Sequence, residues 1–123
     1  MNILLLVGRI MFCAYFAMMG MMHFKNFKMM AGYAVSKGTP LPGMAVAVSG
    51  MMIMLGGLGV IFGQYIQISL ALIALFLLFV TPKMHAFWKE TDPSKKMAEM
   101  QNFLKNMAMF GASIALLALS FGL

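Results

Sequence analysis

The second half of the chain is dominated by two long apolar stretches joined by one short charged segment. Residues 68–80 read ISLALIALFLLFV and close in TPKMHAFWKE. After TDPSKKMAEM the chain turns apolar again as QNFLKNMAMFGASIALLALSFGL. Runs this long and this apolar have no comfortable place in a water-soluble domain. Hydrophobic residues make up 63% of the 123 residues and charged ones 10%, against roughly 25% charged in a typical soluble domain. There is too little charge to coat a globule in water. In a bilayer lipid solvates the apolar exterior, and a short chain needs no large core.

The first half follows the same plan. Residues 3–24 would give about 33 Å of helix, enough to cross a hydrocarbon layer of ~30 Å. Residues 25–42 mix lysines with Phe27, Met29, Met30, Tyr33 and Val35, which predicts a short helix lying on the membrane surface. Gly38 is expected to stop it, with Pro40 and Pro42 leading into a second span over 43–62. Glycines at 43, 50, 56, 57, 59 and 63 let neighbours approach closely, so this span is expected to be the most enclosed of the bundle. A tight, uncharged turn at Gly63-Gln64-Tyr65 leads into a third span over 65–88, which Pro82 should kink or end.

Glu90, Asp92 and Glu99, the three carboxylates, fall on what reads as a solvated loop, with a helix start at Pro93 or Ser94. A fourth span over 101–121 has a small-residue face at Ala108, Gly111, Ala112 and Ala115 suited to helix packing. The expected fold is all-α: an integral membrane four-helix bundle forming a single transmembrane domain over residues 1–123, with a short interfacial helix after the first span. MMHFK and KMHAFWK, each before a basic segment, give the two hairpins a faint internal echo.

The net charge of +6 is concentrated at span ends. Lys25, Lys28 and Lys37 lie in one connection, and Lys83, Lys89, Lys95, Lys96 and Lys105 in or beside the other. This is the positive-inside pattern. It predicts a prokaryotic-type cell membrane, with both basic connections cytoplasmic and both termini outside. No basic groove interleaved with aromatics is present, so nucleic acid is not an expected partner. The N-terminal stretch has no basic leader, Arg9 interrupts its apolar run and no small-x-small cleavage site follows, so it reads as a retained span. Cys13 is the single cysteine, which rules out an intramolecular disulfide.

Several local patterns resemble the DoxX family of small four-helix membrane proteins. They are Gly8-Arg9 in the first span, Gly20-Met-Met-His23-Phe24 at its end, Gly38-Thr-Pro40-Leu-Pro42, and Gly56-Gly57-Leu58. The two specific ones are His85-Ala-Phe87-Trp88 and Phe103-Leu104-Lys105-Asn106-Met107-Ala108. The resemblance implies a membrane subunit supporting a respiratory or sulfur/quinone oxidoreductase and lining a quinone site. Relatives include the quinone-reducing membrane subunit of a thiosulfate oxidoreductase. Many relatives carry a Glu three residues before the Gly-Gly pair, where this chain has Ile53 between Met52 and Met54.

His23, His85, Trp88, Lys105 and Asn106 all sit at span ends beside basic segments. Together with Arg9 they form the candidate quinone site: His can donate near neutral pH, and Lys offers positive charge to a reduced ring. The competing reading has Trp88 and His85 anchoring at the headgroups, and Lys105 and Arg9 snorkelling. Arg9 has a further alternative, an inward-facing cation paired with a carbonyl or an anion.

The 17 methionines, with Cys13 and two histidines, raise the question of Cu(I). No spacing gathers three sulfurs on one helix face, so they read as pliable packing and no metal site is assigned. There is no nucleophile–base constellation for hydrolysis, and no intramembrane acid or paired broken helices for transport. The chain is not expected to be catalytic alone. Two readings stay open: a quinone-interacting oxidoreductase subunit, and a non-catalytic accessory subunit packed in a larger membrane complex or self-associating. The isoleucine at 53 and the lack of any metal or flavin motif weigh toward the second.

Overall fold

A computed structural model describes residues 2–63 and 65–122. Gln64, in the expected turn between the second and third spans, lies outside them. Five α-helices follow one another: α1 (Ile3–Lys25), α2 (Phe27–Ser36), α3 (Pro42–Ile61), α4 (Ile66–Met84) and α5 (Pro93–Ser120), with a 3₁₀ turn at Phe87–Lys89. Among the described residues there is no strand. All but α2 are long and apolar enough to cross a membrane.

Local chemistry accounts for the boundaries. The Asn2 side chain accepts from the N–H groups of Leu4 (2.8 Å) and Leu5 (3.4 Å), capping α1. At the end of α2, Gly38 adopts φ +72°. The Gly38 N–H donates to the Val35 carbonyl (2.9 Å) and the Thr39 N–H to the Ala34 carbonyl (3.0 Å). This is a Schellman stop, and a Cβ at position 38 would resist it. Pro42 opens α3 and Pro93 opens α5 as first-turn residues, where no N–H is missed. Pro82 lies inside α4, which runs on only to Met84 before the His85 N–H closes it on the Thr81 carbonyl (3.0 Å).

The principal helix pairs are α1–α3, α3–α4 and α4–α5, so α3 and α4 are the inner helices. The glycine pair of α3 explains how one helix can face two neighbours. A Cβ at Gly57 would lie 2.5 Å from the Cys13 carbonyl oxygen and 2.6 Å from the Ala17 nitrogen of α1. One at Gly56 would lie 2.8 Å from the Ser69 carbonyl oxygen of α4. Backbone therefore meets backbone on both sides, as small residues permit in lipid. The resulting core holds Cys13, Phe16, Ile53, Val60, Leu70, Ile73 and Leu77.

As expected, the glycine-rich α3 is well enclosed: it packs against α1, α2 and α4 and buries Val46, Gly50, Ile53, Gly56, Gly57 and Val60. Two expectations need correcting. The small residues of α5 do not face the bundle: Ala108, Gly111, Ala112 and Ala115 are exposed, and a Cβ at Gly111 would meet nothing within 4 Å. The inward face of α5 carries Asn106, Met109, Phe110, Ser113, Leu116 and Leu117 instead. Finally, Glu99 is not on a solvated loop. Helix α5 has 28 residues, about 42 Å, whereas ~20 residues suffice to cross. With residues 101–120 crossing, its first two turns project beyond the span, and Glu99 is buried on them.

Candidate functional site

Helix α2 lies beside the ends of α4 and α5 and is fastened there by polar side chains. Tyr33 and Lys37 are four residues apart and so share a face. Both reach Glu99: Lys37 Nζ is 2.6 Å from Oε2, and the Tyr33 hydroxyl donates to the same oxygen at 2.9 Å. Oε1 accepts from Asn102 Nδ2 (3.3 Å) and from His85 Nδ1 (3.4 Å). Lys37 also pairs with Glu90 at 3.2 Å.

Glu99 is only 8% exposed. Burial alone would raise its pKa. The hydrogen bonds from Lys37, Tyr33 and Asn102 outweigh that and hold it down at about 2. Burial and the bond to Glu99 push the Tyr33 phenol up to about 12. For Lys37 burial works against the charge, and the bonds to Glu99 and Glu90 prevail and raise it. The cluster is thus a charged, satisfied fastening across the ordinary pH range.

Beneath this fastening lies a cavity of about 380 Å³ to which all five helices contribute. Phe16, Ile53, Phe76 and Leu77 form its apolar wall. Its polar side includes Tyr33, Asn102, His23, His85, Lys105 and Asn106. The volume lies within the range of small-molecule sites, roughly 300–1,000 Å³, and the mix of apolar wall and few polar groups is typical of them.

The two histidines are fixed in tautomer by their neighbours. His23 Nδ1 lies 2.7 Å from the Met19 carbonyl oxygen, and His85 Nδ1 faces the Glu99 carboxylate. Neither of those oxygens can donate, so each Nδ1 carries a proton and each neutral ring keeps Nε2 as an acceptor. Asn106 differs: the residue is 7% exposed, and its side chain makes no hydrogen bond to a described residue. Its amide atoms are not sealed from the cavity they line, so they can bond a polar group that enters it.

Four of the six candidate residues therefore line one cavity: His23, His85, Lys105 and Asn106. Arg9 and Trp88 do not. Arg9 precedes His23 by 14 positions, about 21 Å along the helix. It lines a separate recess of about 80 Å³ with Leu5, Ile66, Leu116, Leu119 and Ser120. Its Nε is buried there without a hydrogen-bond partner. Trp88 is half-exposed and stacks edge-on against Phe87 (5.3 Å) and Phe103 (5.7 Å).

Sequence reading passed over Tyr33, Lys37 and Glu99. A signal was available: Glu99, Asn102 and Asn106 stand at i, i+3 and i+7, a polar stripe down one helix face. Ile53 is fully buried in the cavity wall. Among the described residues no group of three or more His, Cys, Asp or Glu is placed to hold a metal ion.

The DoxX family model matches residues 4–86, from the first turn of α1 to just past His85. The match ends before α5, so Glu99, Lys105 and Asn106 lie outside it. No curated protein and no solved structure matches the chain.

Proposed function

Starting from the fact that the chain belongs to the DoxX family of membrane proteins, we propose that its cavity binds the ring of a membrane quinone, making the protein a quinone-interacting subunit of a respiratory or sulfur oxidoreductase. The observation that carries this reading is the unpartnered Asn106 amide facing the cavity. Asn106 and Lys105 supply donors that a ring carbonyl can accept. The Nε2 atoms of His23 and His85 supply acceptors for the hydroxyls of the reduced ring. The wall of Phe16, Phe76, Ile53 and Leu77 matches the apolar ring faces and keeps water away.

A bound quinone would supply a two-electron, two-proton couple. The chain's own residues bind and orient it. His85 is held in place by Glu99, which Lys37 and Tyr33 hold in turn, so the acceptor nitrogen of His85 is positioned from two helices away. The positive-inside pattern supports a cytoplasmic site at this end of the bundle, with both termini outside. Photolabelling with an azidoquinone tests the assignment. Label is expected on peptides from the end of α4 and from α5 around Asn106; label confined to the recess at Arg9 would contradict it.

One observation favours the accessory-subunit reading as well. The exposed Ala108, Gly111, Ala112 and Ala115 of α5 form a small-residue face of the kind that membrane helices use to pack against a partner. The two roles are compatible: a quinone site on one side of α5, and a contact with a larger complex or a second copy on the other. Stoichiometric recovery with a larger membrane complex, in the absence of quinone binding, would leave the accessory role alone standing.

A further inference from the structure

Charge around the cavity is unbalanced. Lys83 and Lys105 both line it, and neither is ion-paired with any described residue. The three carboxylates of the chain are placed elsewhere. Glu90 pairs with Lys37, Glu99 is shared among Lys37, Tyr33, His85 and Asn102, and Asp92 stands exposed before α5. None of the three lines the cavity. Both lysines are exposed, so they stand on the open side of the cavity, and no carboxylate of its lining answers their charge. Beside them sits the Asn106 amide, lacking a partner among the described residues. A neutral quinone would satisfy the amide and offer the two lysines no charged partner.

We infer that the preferred ligand head is acidic: a ring-hydroxylated quinone held as its enolate, with the negative oxygen toward Lys105 and Lys83 and a ring carbonyl toward Asn106. This rests on the quinone reading and narrows it to a substrate class. The step is one of binding alone: the ring hydroxyl has already given its proton to solvent, and no bond to the protein forms.

A pair of quinones that differ only by O-methylation tests the role of charge. Binding of 2-hydroxy-1,4-naphthoquinone and 2-methoxy-1,4-naphthoquinone to the purified full chain is measured by equilibrium dialysis in neutral detergent, with protein-free micelles as the blank. The hydroxy compound is expected to bind at least about tenfold more tightly, as a charge-assisted contact does over a neutral one. In a Lys83→Met/Lys105→Met variant, checked for an unchanged thermal unfolding midpoint, that preference should fall to near unity while the methoxy compound still binds. Equal binding of the two compounds by the native chain overturns the acidic-head inference and leaves the quinone reading intact. So does a preference that survives the double substitution. If neither compound binds, the quinone reading fails and the inference falls with it.

Discussion

Lys37 Nζ stands 2.6 Å from Glu99 Oε2, joining the last residue of the surface helix turn to the first turns of the last membrane helix. The side chains are 15% and 10% exposed. A pair so enclosed costs much when one partner is removed, because the other charge is left buried and alone. Glu99→Gln should therefore destabilise the folded chain in detergent by about 3 kcal/mol. Lys37→Met/Glu99→Gln, which removes the orphaned ammonium as well, should recover a substantial part of the loss. A double-mutant cycle of thermal or denaturant unfolding reads both, and strictly additive losses would contradict the coupling.

The same pair sets a pH dependence. The carboxyl of Glu99 is held at about 2 in the folded chain, against ~4.3 when unfolded. A depressed folded pKa gives stability that is complete above the unfolded value and is lost as pH falls toward the folded one. The unfolding midpoint should thus decline from about pH 4.3 downward. Lys37 is shifted the opposite way, so its contribution is complete below ~10.4 and is lost on raising the pH past the folded value. In Glu99→Gln the acid limb should flatten; an unchanged acid limb would contradict this assignment.

Backbone contact at the glycine pair can be tested by placing one methyl at two sites. Gly57→Ala forces Cβ into the Cys13 carbonyl and the Ala17 backbone, and should cost about 2 kcal/mol through displacement of α1 from α3. Gly111→Ala meets open space and should be neutral. Unfolding midpoints of the two variants side by side decide it; equal losses would argue against the close α1–α3 approach.

Trp88→Phe is expected to leave quinone affinity unchanged, because Trp88 packs on Phe87 and Phe103 outside the cavity. His85→Ala should weaken binding by about tenfold, the scale of one lost hydrogen bond to a buried group. Titrations of both variants check this. A large loss from Trp88→Phe would move the site to the headgroup side.

The bilayer explains which parts of this protein were legible from residues alone. Hydropathy gave the four long helices, because lipid demands long apolar runs with every backbone group satisfied within the helix. Gly38 and Pro93 marked their boundaries correctly because their effects are local. The orientation of α5 was not legible: lipid accepts Ala108 and Gly111 as readily as a neighbouring helix does, so composition does not say which side faces in. Glu99 was read as solvated because charged residues surround it in sequence. Its burial depends on Tyr33 and Lys37 returning from α2, a non-local event. Arg9 fell away from the site for a plainer reason, the length of the helix between it and His23.

Asn106 gives the most direct test of the whole account. Equilibrium binding of 1,4-naphthoquinone to the detergent-purified chain, corrected for protein-free micelles, should show one saturable site per chain. In Asn106→Leu, folded as judged by its unfolding midpoint, affinity should drop by about tenfold or more. Saturable binding that Asn106→Leu leaves untouched, or no saturable binding by the folded native chain, would contradict it.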